Sequence, residues 1–217
     1  MVSTPIGNLG DVSFRAVDVL TRVQLIAAED TRKSRILLNR YKIKTPLTSF
    51  FSYNQKKKTS SILKRLKQGD DVAVISDAGT PGISDPAFYL VSRAIQENIG
   101  IVAVPGASAL LTALVVSGIP TNRFVFEGFL PVKKGRKTRL QKLNEEERTI
   151  ILYESPHRLL RTLKDIFNFL GNRNLVVARE LTKKFEEVLR LPVEKAIEVF
   201  QNRNSIKGEF VLIIQGK

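Results

Sequence analysis

Four short polar clusters carry the residue types that move protons and hold anions. They read Ala27-Ala28-Glu29-Asp30-Thr31-Arg32, Tyr153-Glu154-Ser155-Pro156-His157-Arg158, Ala178-Arg179-Glu180-Leu181-Thr182-Lys183 and Lys207-Gly208-Glu209. Carboxylates and imidazole exchange protons, and guanidinium and ammonium groups steady negative charge. Taken singly, each cluster has an ordinary explanation: Asp30, Ser155 and Thr182 are types that cap helices or make turns. Three clusters close apolar runs and the fourth opens one, so together they read as the rim of a cleft. The 217 residues include no cysteine and one histidine, His157. This excludes disulfides, thiolate metal sites, a cysteine nucleophile and a multi-histidine centre, and no metal is expected.

Three Gly/Pro-rich segments lie where strands should end: Ser3 to Asp11, Ser76 to Pro86, and Val104 to Ala109. One such segment is most simply a tight turn. Three point to backbone brought close to a ligand at the carboxyl edge of a parallel sheet. The chain has no P-loop, no G-x-G-x-x-G opening a helix and no G-x-S-x-G elbow, which disfavours the common nucleotide-binding and hydrolase plans.

The elements that must position these groups follow from apolar patterning. Short Val- and Ile-rich runs at 23–28, 72–76, 101–104, 124–127, 149–153, 175–178, 185–190 and 210–214 predict buried, largely parallel strands. Helices are predicted near 13–21, 31–40, 56–68, 86–98, 107–117, 136–148 and 193–203, and over 156–170. In the last of these, Leu159, Leu160, Leu163, Ile166, Phe167 and Leu170 share a face, Pro156 sits in the first turn and Gly171 ends the helix. Alternation of strand and helix means an α/β protein. Gly118-Ile119-Pro120 suggests two domains, 1–118 and 119–217.

A formal charge of +14 directs attention to polyanions such as RNA. Residues 132–142 hold six basic residues and no acid, and suit phosphate contacts. Lys56, Lys57 and Lys58 open a second cluster, compatible with a solvated helix face. The longest apolar stretch, Ala109–Val116, is too short to cross a bilayer. The N-terminus reaches Pro5 and Gly7 before any hydrophobic run, so no signal peptide is visible and a cytoplasmic protein without a membrane partner is expected.

The segments TPIGNLGD, AAEDTR, SDAGTPGISDP, VPGASA, FEGFLP, YESPHR, ARELTK and KGE occur in this order. Together they closely resemble the small-subunit ribosomal RNA methyltransferases of the tetrapyrrole methylase family, over residues 2 to 215. The resemblance implies two α/β domains with S-adenosylmethionine in a cleft between them, usually in a homodimer. It implies methylation of a cytidine ribose 2′-hydroxyl in the decoding region of 16S rRNA, free or in the small subunit. Carried over by motif, the cofactor contacts are Pro5, Asp77, Ala78, Gly79, Thr80, Ile83, Ser108 and Ala109, with Tyr153, Glu154 and Leu181 from the second domain. The family often has a His-Asn-Glu-like segment where this chain reads Tyr53-Asn54-Gln55.

Transfer of a methyl from sulfonium to an alcohol is an in-line displacement governed by positioning. A base should help the weakly acidic hydroxyl, and the candidates are Glu154, His157, Glu180, Glu209 and Asp30. His157 has the apt unperturbed pKa but is as often structural. Arg32, Lys133, Lys134, Arg136, Lys137, Arg139, Arg158, Arg179 and Lys183 are the RNA-binding candidates, and Lys207 is another cation near the site. Of Phe50, Phe51 and Tyr53, a candidate surface for stacking a displaced base, two are expected in the core. Two other readings share parts of this pattern: a methylase of the same fold acting on a small tetrapyrrole, and a non-catalytic RNA-binding or ribosome-assembly protein.

Overall fold

The computed structural model describes residues 1–217, which form two units, Met1–Ser108 and Ala109–Lys217. In the first, α1 (Phe14–Arg22), β1 (Leu25–Ala28), α2 (Thr31–Arg40), β2 (Leu47–Ser49), α3 (Gln55–Lys67), β3 (Val72–Ile75) and α4 (Ala87–Gln96) follow a short 3₁₀ turn at Leu9–Asp11. The strands run parallel in the order β2-β1-β3. Alternation along β1 and β3 divides the core. Ile26, Ala28, Ala73 and Ile75 pack with Ala16 and Leu20 of α1 and Leu38 of α2. Ala27 and Val74 pack with Ile62 and Leu63 of α3 and Leu90 and Ala94 of α4. A sheet covered on both faces needs apolar residues at successive positions, which is why its strands read as continuous runs. Ser13 caps α1 by accepting from the Ala16 N–H at 3.1 Å.

The second unit holds α5 (Ala109–Val115), β4 (Phe124–Phe129), α6 (Arg136–Asn144), β5 (Thr149–Glu154), α7 (Leu159–Leu170), β6 (Asn174–Arg179), β7 (Glu187–Pro192), α8 (Val193–Gln201) and β8 (Phe210–Ile214). Its sheet has the order β4-β5-β8-β6-β7. Only β4 and β5 are parallel, and the other three pairings are antiparallel. The largely parallel arrangement expected from sequence therefore holds for the first sheet and not for the second. One face of the second sheet packs under α6, α7 and α8, with Leu140, Ile150, Leu163, Val177, Phe200 and Leu212 at its core. On the opposite side α5 packs against β5 and β8. That packing places α5 in the second unit, ten residues ahead of the expected boundary after Gly118.

Two local expectations also change. The run 101–104 forms no strand: only Val104 bridges Val2, and Ile101 and Val102 are exposed. Helix α7 begins at Leu159 after a turn, so Pro156 lies outside it, whereas Gly171 ends it at a φ of +84°.

Candidate active site

In the first unit the carboxyl ends of β1, β2 and β3 lie side by side, with Ala28 opposite both Ser49 and Ile75. The three Gly/Pro-rich segments meet beside them. The Val2 N–H donates to Val74 O at 2.9 Å, Ser3 N–H to Val104 O at 3.1 Å and Val104 N–H to Met1 O at 2.8 Å. Thr4 and Gly79 exchange backbone bonds at 2.9 and 3.0 Å. The hydroxyls of Ser3 and Thr80 share a bond of 3.0 Å, and that of Thr80 donates to Ala107 O at 3.2 Å. Two glycines are required by this bed. Gly79 adopts a φ of +79°, and a Cβ on Gly106 would lie 2.9 Å from that of Ser3. Of the expected cofactor positions, Pro5 and Gly79 are buried, Thr80 and Ser108 half-buried, Ala78 exposed and Ile83 47 % exposed. The amides of Ala78, Ala107 and Ser108 donate to no group of the chain. Free donors in a bed of closely packed backbone fit a ligand that carries hydrogen-bond acceptors.

Asp77 braces this bed. Its Oδ1 accepts from the Asp30 N–H at 2.9 Å and its Oδ2 from Lys33 Nζ at 2.7 Å. A carboxylate has about four acceptor positions, so Asp77 retains capacity for a ligand donor. Asp30 caps α2, accepting from Arg32 N–H at 2.8 Å and holding the Arg32 guanidinium at 2.8 Å. Arg32 keeps its carboxyl well below the usual range, so Asp30 is a poor proton acceptor near neutrality and is explained as a cap. Its neighbour Glu29, absent from the candidate bases, behaves differently. Burial raises its pKa, as do the charges of Asp77 and Asp85, against a bond from the Asp77 N–H at 3.3 Å and the charge of Lys33. Its place just past a fully buried strand was the only sequence signal.

In the second unit three polar clusters share one end of the sheet, because Phe210 pairs with both Glu154 and Arg179. The Glu154 side chain is enclosed: Oε1 accepts from Ser155 N–H and Arg158 Nε, each at 2.8 Å, and Oε2 from the Thr162 hydroxyl at 2.5 Å. Tyr153 Oη accepts from Leu110 N–H at 3.2 Å, an otherwise orphaned donor in the first turn of α5. Burial pushes that phenol up, the Leu110 bond opposing it. Glu180, at a φ of +50°, accepts from Lys183 Nζ at 2.8 Å and Glu209 N–H at 3.0 Å. Burial works against ionisation of Glu180, but these bonds prevail and lower its pKa. Lys183 also holds Glu209 at 2.9 Å, and Arg179 donates to Lys207 O at 2.6 Å. Leu181 is buried beside them. Among the proposed bases His157 alone is exposed and free of any hydrogen bond or ion pair.

The chain matches the family Tetrapyrrole (Corrin/Porphyrin) Methylases over residues 1–197. It is 52 % identical over 218 residues to "Ribosomal RNA small subunit methyltransferase I" of Synechocystis sp., covering 100 % of this chain and 78 % of that one. It is 48 % identical to the protein of the same name from Thermotoga maritima, covering 100 % and 97 %. The chain belongs to the ribosomal RNA small subunit methyltransferase I branch of the tetrapyrrole methylase family. A solved uroporphyrin-III C-methyltransferase from Thermus thermophilus, complexed with S-adenyl homocysteine, superposes with a TM-score of 0.69 at 13 % identity, covering 99 % of this chain and 95 % of that one. At that identity the likeness shows the tetrapyrrole methylase fold.

Within this methyltransferase, the basic candidates separate by environment. Arg136 is 4 % exposed and donates to Asp165 at 2.7 Å, Thr162 at 2.9 Å and Pro131 O at 3.2 Å. It anchors α6 to α7 and is not on the surface where RNA was expected to meet it. Arg158 is held by Glu154 and lies over the Phe129 ring. Arg139 pairs with Glu127, Arg179 with Glu187, and Lys183 with Glu180 and Glu209. Lys133, Lys134 and Lys137 are exposed without an acidic partner, and Arg32 is exposed beyond its bond to Asp30. A cavity of about 340 Å³ in the first unit, lined by Val19, Ile62, Val72, Leu90 and Val104 among others, includes none of the expected cofactor positions.

Proposed function

We propose that this methyltransferase carries the methyl group of S-adenosylmethionine to the 2′-oxygen of a cytidine ribose in the decoding region of 16S rRNA. The observation that carries this reading is the 48–52 % identity, along the whole chain, to relatives named for small-subunit rRNA methylation. The bed formed by Ser3–Ile6, Ser76–Thr80 and Val104–Ala107 supports the cofactor: its free amides and the exposed Ile83 would hold the ligand. When bound, that cofactor supplies a methyl group activated on a sulfonium. The protein's own task is then to align the ribose oxygen and receive its proton. His157, an exposed imidazole with no partner in the chain, is open to take that proton. Glu29, raised by burial, is the second candidate. Lys133, Lys134 and Lys137 supply phosphate contacts. The proposal includes a homodimer working in the cytoplasm on 16S rRNA or the small subunit. No helix of the chain is long and apolar enough to cross a membrane.

The test is calorimetric titration with S-adenosylmethionine, followed by transfer of labelled methyl to small subunits from a strain lacking the modification. Label at a single cytidine ribose, lost in His157→Ala or Glu29→Gln, is the expected result. Cofactor binding without RNA labelling sinks the RNA reading and favours a small-molecule acceptor.

A further inference from the structure

The loop between β2 and α3 is built unlike a core crossing. Phe50 is 2 % exposed and its N–H donates to Ala28 O at 2.8 Å, which fixes the loop's start beside β1. The next two aromatic residues turn outward: Phe51 is 38 % exposed and Tyr53 is 99 % exposed. Only one of the three aromatics is therefore in the core, where two were expected. The turn is not loose. Asn54 Oδ1 accepts from Phe51 N–H at 2.9 Å, its own N–H donates to Phe51 O at 3.0 Å, and its Nδ2 donates to Ser49 O at 3.3 Å. The Phe51 and Tyr53 rings meet edge to face, centroids 6.5 Å apart at 63°. A ring held in place by its backbone and one neighbour, with both faces in water, gains nothing for folding from its apolar area.

Charge adds a second observation. Lys56, Lys57 and Lys58 occupy the first turn of α3, a helix with no acidic residue, and Asn54 does not cap it. Cations at a helix N-terminus oppose its dipole. Lys56 and Lys57 are exposed without an acidic partner, and Lys58 meets only the Thr48 hydroxyl, at 2.8 Å. The fold therefore carries an unfavourable charge arrangement beside an unfavourable aromatic one. Both become favourable against one ligand class, a single-stranded polyanion with flat, unpaired faces. The position is also apt. β1, β2 and β3 are parallel, so this loop leaves the same sheet edge as Glu29 and the Ser76–Thr80 loop, two strand spacings or about 10 Å from β3.

We propose that Tyr53, buttressed by Phe51 and flanked by Lys56 and Lys57, is a stacking platform for an unpaired base of single-stranded RNA. Resting on the RNA reading above, this assigns Tyr53 the role of positioning a nucleotide near the methylated ribose. Tyr53 is not assigned to the chemistry itself.

The chain contains no tryptophan, so Tyr53→Trp installs a lone reporter. A short, mixed-sequence, single-stranded oligoribonucleotide should quench its emission. Tyr53→Ala should weaken binding of that oligonucleotide by about 5- to 150-fold, while Tyr53→Phe retains it. Heparin, a polyanion without bases, should bind Tyr53→Ala as it binds wild type, and should bind Lys56→Ala/Lys57→Ala less well. In methyl transfer to small subunits, Tyr53→Ala should raise KM and leave kcat and cofactor affinity unchanged. Unchanged Trp emission while anisotropy reports bound oligonucleotide overturns the platform, as does Tyr53→Ala binding like wild type. If quenching and the Tyr53 dependence hold but no methyl reaches RNA, the proposed function falls and the platform stands. If methyl transfer is normal and indifferent to Tyr53, the platform alone falls.

Discussion

Replacing Glu154 tests whether an acidic residue at the end of a strand serves the fold or the reaction. Its side chain accepts from Ser155 N–H, Arg158 and the fully buried Thr162 hydroxyl, which in turn accepts from Arg136 at 2.9 Å. Glu154→Ala removes one partner of a buried ion pair, a change that costs about 3–5 kcal/mol. The Arg158 side chain remains 21 % exposed and keeps its bond to Leu130 O at 3.2 Å. Water can therefore resolvate the cation in part, and the low end, about 3 kcal/mol, applies. For a chain of this length that lowers Tm by about 6–12 °C. Glu154→Gln keeps the shape and one acceptor oxygen but loses charge-assisted bonds, at about 1.5–3 kcal/mol. Thermal unfolding followed by circular dichroism should rank wild type above Gln and Gln above Ala. The reasoning is refuted if Glu154→Ala unfolds within about 0.5 kcal/mol of wild type, as a surface change would, yet abolishes methyl transfer.

Two further outcomes are expected. The folded-state pKa of Glu29 is raised, so its contribution to stability is full below the ordinary carboxylate pKa and is lost as pH rises through the raised value. Glu29→Gln should therefore gain stability over wild type in urea titrations at pH 7.5 and lose that advantage near pH 4; an equal difference at both pH values would contradict the shift. Gly106→Ala pushes a Cβ to 2.9 Å from that of Ser3 and should cost about 1–3 kcal/mol, with a matching fall in S-adenosylmethionine affinity by calorimetry. Gly100→Ala, which meets nothing within 4 Å, should change neither.

Most elements were legible because burial leaves a pattern in composition. α2 spans Thr31–Arg40 as read, with the Asp30 cap and apolar spacing both visible in sequence. Strand direction in the second sheet was not legible. β5 and β8 are buried at nearly every position, and a strand buried on both faces reads the same whichever way its neighbour runs. β2 was missed since three half-buried residues carry no period and owe their state to pairing with β1. Arg136 passed for one more cation in a basic run because its partners Thr162 and Asp165 come 26 and 29 residues later. Its spacing of four and seven from the buried Leu140 and Leu143 was the available sign. The three loops of the candidate site were plain from Gly and Pro alone. That Glu154 is enclosed while His157 is open depended on which way one turn faces, and sequence does not encode that locally.

The order β4-β5-β8-β6-β7 has a consequence for biosynthesis. β8 is the central strand of the second sheet, its five residues all buried, and it joins β5 to β6. Until residues 210–214 clear the ribosome, β4 with β5 and β6 with β7 are separate pairs, each with an apolar edge awaiting the same strand. The first unit ends at Ser108 and can close while the remainder is still being translated, at roughly 5–20 residues per second. The second cannot close before β8 has emerged. For several seconds each nascent molecule carries a finished half and a half with a slot at its middle. That interval is when another chain's strand, or a chaperone, can reach it.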